Sequence, residues 1–450
     1  MKIFGTDGVR GISNVYPMTA ELVLKLGMAA AIIISTKLNR TNRILIGKDT
    51  RLSGYLYENA LTAGLISMGK EVILVGPMPT PAVAFLTRSM RADMGIMISA
   101  SHNLYKDNGI KLFDNLGYKI SDEDEKAIES LLDKDLDTEL VASEKVGRAY
   151  RLRESSGRYI EFVKNCFSNN FMLSNLKIVL DCANGAAYKV APVIFYELGA
   201  KEIIEIGNSP NGININDNCG STSIESVRKK LLESKADVGI AFDGDADRVI
   251  LIDEKGDIVD GDVILALLAT KWKKDNKIKD NKIVSTVMAN MAFEKYINEI
   301  GLTLIRTQVG DRYVVEELRK SNLNLGGEPS GHLILRDYNT TGDGIIGALE
   351  VLSIMGEKGK KLSEVANLFK SFPQILKNIK VKNSNILENL EVKKYIDKLT
   401  NDLKNSCRIL VRKSGTENLI RVMVESDDFI QVESVSNNII DYLSKMDYSL

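Results

Sequence analysis

The phrase Ala-Asp-x-Gly-Ile occurs twice, starting at Ala92 and at Ala236, and each copy runs through an apolar stretch into a polar loop. Ser99 and Ser101 in the first loop stand where Asp243 and Asp245 stand in the second. Matching strand-like runs precede both copies, 43–47 and 71–76 before the first, 177–181 and 202–207 before the second. A third, more diverged set follows: 282–287 and 302–307 read as strands, and Asn324-Leu325 lead into Gly326-Gly327-Glu328-Pro329-Ser330-Gly331-His332. Strands alternating with helix-length spacers, repeated along a chain, are the pattern of α/β units, and their polar loops leave the C-terminal ends of the strands. The chain is therefore expected to form three similar α/β domains with mixed, largely parallel sheets. A smaller C-terminal α+β domain should follow, with strands at 408–412 and 419–425, a loop at 413–418 and an amphipathic helix near 432–446.

At 450 residues and 44% apolar, the chain is too long for one core and long enough for three or four domains of ordinary size. A charged, helix-like stretch at 121–144 and a linker-like one at 147–156 end the first unit. An Asp- and Gly-rich turn at 253–261 separates the second from the third, and 360–371 with Pro373 closes the third. Domains are accordingly expected at 1–150, 151–255, 256–370 and 371–450. A formal net charge of −1 offers no general attraction to nucleic acid or to an anionic membrane. The longest apolar run, 28–34, is far too short for a bilayer, and Met1-Lys2-Ile3-Phe4-Gly5 opens without the apolar core of a secretory leader. Cys166, Cys182, Cys219 and Cys407 have no metal-ligand spacing and fit no disulfide scaffold, so the cytoplasm is the expected compartment.

The second polar loop is the most specific chemically. Asp243, Asp245 and Asp247 alternate along a chain leaving a strand, so their carboxylates project to one side, and a hard cation, most plausibly Mg²⁺, makes that convergence tolerable. The same residues nearly fit an EF-hand, with Ile250 and Glu254 at its eighth and twelfth positions, but Arg248 occupies the sixth, where the turn needs Gly. Strand-like flanks also replace the two helices of that motif. A solvated acidic turn is the other reading, and it fits poorly at the C-terminal end of an apolar strand, where α/β sheets build sites.

The chain's two histidines, His102 and His332, both fall in polar loops. Ser101 is followed by His102, Asn103, Lys106, Asp107, Asn108, Gly109 and Lys111, a cationic, turn-rich setting suited to an anionic group, although a serine there could equally be a helix cap. Arg412, Ser414, Gly415, Thr416 and Arg421 combine guanidinium groups, hydroxyls and a glycine that admits backbone N–H groups, a combination suited to phosphate; a hairpin turn with surface arginines is the plainer reading. Phe4–Gly11 is a Gly-rich loop that could lie against a ligand, and 47–54 reads most cheaply as a strand-to-helix turn with capping hydroxyls.

Taken in order, Phe4-Gly5-Thr6-Asp7-Gly8-Val9-Arg10-Gly11, Ile98-Ser99-Ala100-Ser101-His102-Asn103, Asp243–Arg248, Gly327–His332 and Arg412–Arg421 resemble the α-D-phosphohexomutases over essentially the whole chain. The first motif is closer to the glucosamine branch than to the mannose/glucose branch. Leu104 stands where the family usually has Pro, and Pro329 where the glucosamine branch usually has Gln. The resemblance implies that Ser101 carries a phosphoryl group and that Asp243, Asp245 and Asp247 hold one Mg²⁺ per active site against it. Lys111 would be the general acid and base, aided by Arg10, His102, Arg248 and His332. Glu328 and Ser330 would bind sugar hydroxyls, and Arg412, Ser414, Gly415, Thr416 and Arg421 the phosphate that is not reacting. The implied reaction interconverts glucosamine 6-phosphate and glucosamine 1-phosphate, with glucosamine (or glucose) 1,6-bisphosphate as intermediate or activator. By the same resemblance, its product would feed amino-sugar nucleotides and cell-wall precursors. The implied partner is a small hexosamine phosphate, and a homodimer is an open expectation.

Two other classes compete. An apolar strand before Asp243-Gly244-Asp245 also resembles the haloacid-dehalogenase phosphatases, in which the first Asp is phosphorylated, but that reading leaves Ser101 and the C-terminal loop without a task. A non-enzymatic sugar-phosphate sensor would need Arg412 and Arg421, not Ser101 joined to three aspartates. Within the family, a phosphomannomutase/phosphoglucomutase of the same mechanism is the alternative.

Overall fold

The computed structural model describes residues 2–37, 42–168, 171–381, 384–403, 406–413 and 419–449, and they form two compact units. Met1–Met288 with Gly301–Leu368 is the first unit; Ala289–Ile300 with Phe369–Leu450 is the second.

Three sheets make up the first unit. The N-terminal sheet has seven strands in the order Phe4–Gly5, Gly8–Ile12, Asp107–Asp114, Met94–Ile98, Arg43–Lys48, Glu71–Pro77 and Ala149–Arg151. Arg43–Lys48 runs parallel to both neighbours, whereas Asp107–Asp114 returns antiparallel to Met94–Ile98. The strand is buried on both faces, as central parallel strands are. Ile44 and Ile46 face a core shared with helices Ala20–Lys37, Gly54–Ser67 and Asp122–Leu132, through Leu26, Leu61, Leu65 and Ile128. On the other face, a Cβ at Gly47 would lie 2.4 Å from Val83 of helix Thr80–Ser89, so glycine is what lets that helix lie flat on the sheet.

The second sheet is ordered Ile258–Val259, Val249–Asp253, Val238–Phe242, Lys177–Asp181 and Glu202–Ile206, the third Thr303–Thr307, Lys282–Thr286, Leu325–Gly327 and Leu333–Leu335. Both repeat the device of the first: a strand parallel to its neighbour ends in a loop, and the chain returns antiparallel beside it. The three loops so formed carry Ser101, the three aspartates, and Glu328 with His332. The sheets are thus parallel on one side and antiparallel on the other, as a mixed sheet requires.

The second unit has an antiparallel sheet, Gln374–Lys380, Leu419–Ser426 and Cys407–Lys413, covered by helices Leu390–Leu403 and Phe429–Ser449. Val422, Val424, Val432 and Ile439 are at the centre of its core. Segment Ala289–Ile300 packs here: Met291 N donates to Glu425 Oε1 (2.8 Å) and Asn290 Nδ2 to the Phe372 carbonyl (3.1 Å).

Local expectations fared unevenly. The charged stretch 121–144 is helical over Asp122–Leu132, where Ser121 Oγ caps Asp124 N; only short 3₁₀ turns follow, at Asp137–Glu139 and Ser143–Lys145, although Leu136 and Leu140 continue the four-residue apolar spacing. The linker-like 147–156 contains strand Ala149–Arg151, an exposed edge strand whose pattern has no buried face to betray it. Ile258–Val259 pairs antiparallel with Val249–Asp253 at the edge of the second sheet. Among the described residues no helix is long and apolar enough to cross a membrane, and the four cysteines are unbridged.

Candidate active site

Ser101 has φ 50°, a left-handed conformation that costs a non-glycine residue energy unless its surroundings enforce it. Here they do. Its N–H donates to Ser99 Oγ (2.9 Å), and its carbonyl accepts from Arg51 (3.0 Å) and Asn216 (2.9 Å). Arg51 also donates to the carbonyls of Asn103 (2.7 Å), Leu104 (2.5 Å) and Asp107 (3.0 Å), while its Nε is held by Asp49 (2.8 Å). Ser99 Oγ donates to the same Asp49 carboxylate (2.7 Å). The turn 47–54 is therefore the support of the Ser101 loop, not the capping turn expected: Ser53 makes no side-chain cap and accepts from Asn108 instead. The N-cap reading of Ser101 fails too, since no helix starts after it.

The support presents Ser101 Oγ to the second loop, where it donates to Asp243 Oδ2 (2.5 Å). Gly244 makes that approach feasible, because a Cβ there would lie 2.6 Å from the Ser101 carbonyl oxygen. Asp243, Asp245 and Asp247 are buried, each offering a carboxylate oxygen within 4.8 Å of the others. Asp245 Oδ1 is buried without a hydrogen-bond partner among the described residues, and Asp247 Oδ1 makes none either, having only the ion-pair approaches of His332 Nδ1 (3.4 Å) and Arg248 Nε (3.8 Å); a cation would satisfy both oxygens. The three carboxylates thus fit a divalent metal ion.

The opposite edges of the carboxylates are already engaged. Asp245 Oδ2 accepts from Thr80 Oγ1 (2.6 Å) and Lys111 Nζ (2.9 Å), and Asp247 Oδ2 from Lys111 (3.1 Å). Burial and the two neighbouring aspartates push Asp243 well above the usual carboxylate range. Burial alone would raise Asp247 as well, but Lys111, His332 and Arg248 outweigh it and hold it well below. Lys111, fully buried among Asp245, Asp247 and Asp7, is correspondingly held as an ammonium.

The third loop joins the second through backbone. Val249 N donates to the Gly331 carbonyl (3.0 Å), Arg248 and His332 form a β-bridge, and a Cβ at Gly331 (φ +85°) would meet the Val249 carbonyl oxygen at 2.0 Å. His332 Nδ1 lies 3.4 Å from Asp247. Burial works against a charged His332, yet Asp247, Asp311 and Glu328 raise it to about 9. His102 is the reverse: burial with Arg248 and Arg10 nearby pushes it down to about 4, so it is neutral. Glu328 accepts from Gly310 N (3.2 Å), and burial raises its carboxyl; Ser330 beside it is exposed. Arg10 is paired with Asp7 and feels Asp245 and Asp247.

In the second unit Arg412 and Arg421 sit directly opposite on adjacent strands. Like charges so placed repel, and burial and Arg421 both depress Arg412. An anion between them would relieve this repulsion. Ser414, Gly415 and Thr416 lie outside the described residues.

The structure thus gathers Ser101, His102, Lys111, Arg10, the three aspartates, Arg248, Glu328 and His332 at the meeting of three loops. Sequence reasoning missed Asp49, Arg51, Asn216, Thr80, Asp7, Lys119 and Asp311. Asp49 and Arg51 gave one usable signal, opposite charges two residues apart just beyond a strand's C-terminal end; Asp7 lay inside a loop already marked as ligand-facing.

Four family models described as phosphoglucomutase/phosphomannomutase match the chain in order: α/β/α domain I at residues 1–139, domain II at 157–256, domain III at 260–372 and the C-terminal domain at 376–441. This is the phosphohexomutase architecture. Solved structures with the same fold include a phosphoglucomutase/phosphomannomutase family protein from Burkholderia thailandensis (TM-score 0.80, 24% identity, 99% of this chain and 97% of that one). Another is the N-acetylphosphoglucosamine mutase of Aspergillus fumigatus in complex with GlcNAc-6P and magnesium (TM-score 0.67, 17% identity, 99% and 96%). Sequence similarity is much higher to the phosphoglucosamine mutases of Agrobacterium fabrum (54% identity over 443 residues, 98% of each chain) and Zymomonas mobilis (53% over 436, 97% of each). The chain belongs to the phosphoglucosamine mutase family of the phosphohexomutases. It is an isomerase, a mutase that moves a phosphoryl group.

Proposed function

We propose that this chain interconverts glucosamine 6-phosphate and glucosamine 1-phosphate through phosphorylated Ser101 and a 1,6-bisphosphate intermediate. The observation that carries the reading is Ser101 Oγ at 2.5 Å from Asp243, inside a cluster of three buried carboxylates of which Asp245 and Asp247 each keep one oxygen without a hydrogen bond. A phosphorylated serine brings about −1.5 to −2 charge, so it belongs beside three carboxylates only with a cation between them. Asp243, Asp245 and Asp247 would hold that ion, Mg²⁺, which when bound neutralises phosphoryl oxygens.

The bond from Ser101 Oγ to phosphorus breaks as one forms from a sugar hydroxyl oxygen; the hydroxyl proton leaves and Ser101 recovers one. Lys111, an ammonium 2.9 Å from Asp245, would give its proton to Ser101 Oγ and, so made neutral, accept the proton that the sugar hydroxyl loses, the reverse half-reaction running the same two transfers backwards. Arg10, Arg248 and cationic His332 balance charge on the moving group, and neutral His102 can accept a hydrogen bond. Glu328 and exposed Ser330 are assigned to sugar hydroxyls, and the pair Arg412 and Arg421 to the phosphate not being transferred. The bisphosphate then turns round and returns its other phosphate to Ser101.

The boundaries 1–150, 151–255, 256–370 and 371–450 belong to this proposal, as do a cytoplasmic location and independence from nucleic acid and membrane; light scattering decides between monomer and homodimer. The central test compares kcat/KM for glucosamine 6-phosphate, glucose 6-phosphate and mannose 6-phosphate. A preference for either of the last two moves the chain's activity to a phosphoglucomutase or phosphomannomutase of the same mechanism.

A further inference from the structure

Six side chains of the first unit close a ring of alternating charge. Lys111 Nζ is 3.1 Å from Asp247 and 3.3 Å from Asp7; Asp7 pairs closely with Lys119; Lys119 Nζ is 2.6 Å from Asp311; Asp311 is 3.6 Å from His332 Nε2; and His332 Nδ1 is 3.4 Å from Asp247. Four members, Lys111, Asp247, His332 and Asp7, border the carboxylate cluster or its ammonium. Lys119 and Asp311 do not touch it, yet they close the circuit. Lys119 comes from the hairpin that follows strand Asp107–Asp114, and Asp311 from the first turn of helix Asp311–Lys320, so their bond ties the first sheet's hairpin to the third sheet's helix.

We propose that Lys119 and Asp311 are positioning residues for phosphoryl transfer, sharing Asp7 with Lys111 so that it stays the most distant of the three carboxylates on Lys111, and fixing the ring of His332 between two carboxylates. This rests on the function proposed above. Asp7 has three cations within reach, and those nearest it are Arg10 and Lys119; its contact with Lys111 is the longest of the three that Lys111 makes. Without Lys119, Asp7 would be drawn onto Lys111 and away from the hairpin. Asp311 would then stand beside His332 as a nearly buried carboxylate without its ammonium, and the imidazole would be pulled toward it and off Asp247. The function proposed above assigns sugar hydroxyls to Glu328 and Ser330 and not to Lys119 or Asp311, so the loss should fall on turnover rather than on substrate binding.

The test uses the full chain with Mg²⁺ and glucosamine 6-phosphate, measuring kcat, KM and Tm for wild type, K119M, K119R, D311N and the K119M/D311N double variant. K119M and D311N should each lose roughly 10–100-fold in kcat, the range for residues that orient a reacting group from behind, with KM little changed. K119R should recover most of kcat, because a guanidinium reaches both carboxylates. The double variant should be no slower than the slower single one, since the two residues form one link. Losses that multiply, a KM effect without a kcat effect, or no rescue by K119R would overturn the proposal. If K119M does not fold, K119Q and D311N decide by the same kcat–KM split. An active wild type whose variants keep its kcat sinks this inference alone; a wild type inactive on glucosamine 6-phosphate removes the proposed function and this inference with it.

Discussion

Ser101 and the aspartates that face it set the chemistry at residue scale, because one hydroxyl is placed where a dianionic group can exist only with a cation. Ser101→Ala removes the acceptor without disturbing the backbone bonds that hold its loop, so it should fold and lose mutase turnover, and intact-mass analysis of wild type should show one phosphate mapping to Ser101. A phosphate found on Asp243 instead would support a dehalogenase-like phosphatase. Alanine at Asp243, Asp245 or Asp247 leaves an incomplete oxygen cage, so each should abolish most activity, and EDTA should do so reversibly; a chelated enzyme at full rate contradicts the metal assignment. The two histidines show how far environment acts on identical side chains. His332, ringed by carboxylates, is pushed to about 9, while His102, beside two arginines, drops to about 4.

At the scale of elements, the decisive object is the turn between strand Arg43–Lys48 and helix Gly54–Ser67. Its Arg51 is fully buried and donates to four carbonyls of the Ser101 loop, which lets a serine occupy a left-handed conformation. Replacing Arg51 with Met strands Asp49 in the interior and frees those carbonyls. The unfolding free energy of the first unit should fall by about 3–5 kcal/mol, the usual cost of breaking a buried pair by removing one partner. Urea unfolding checks this, and the Asp49→Asn, Arg51→Met pair should recover part of the loss. An unchanged midpoint would show that the loop is held by other means. The charges of Asp49 and Arg51 were plain in the sequence; that they reach across to residues some fifty positions away was not, because side-chain reach between strands is a tertiary fact.

Over the first unit, three copies of one supersecondary device each deliver a loop to the same place; the second unit carries its own pair of opposed arginines, Arg412 and Arg421. Substrate choice belongs to this scale. Glu328 is assigned to hydroxyls common to glucosamine, glucose and mannose phosphates, so Glu328→Ala should weaken all three alike. Discrimination at C2 is expected from the charge of the amine, since losing one charge-assisted hydrogen bond costs roughly 1.5–3 kcal/mol. Glucosamine 6-phosphate should therefore have at least roughly tenfold higher kcat/KM than glucose 6-phosphate. Equal values would remove the glucosamine assignment and leave the phosphoserine chemistry standing.

The sequence by itself determined the three-fold α/β repeat, the strand ends on which sites are built, and the residues Ser101, Asp243, Asp245, Asp247, Glu328 and His332. Those features are written in local periodicity and short spacing, which one chain displays without its fold. Only the tertiary structure decided that Ser101 meets Asp243 across 142 positions of sequence, that Lys111 is an ammonium held by three carboxylates, and that Lys119 and Asp311 complete a ring of charge. Each is a contact between separate elements. Its energy depends on burial and on distances of a few ångströms, quantities that come into being only when the sheets pack.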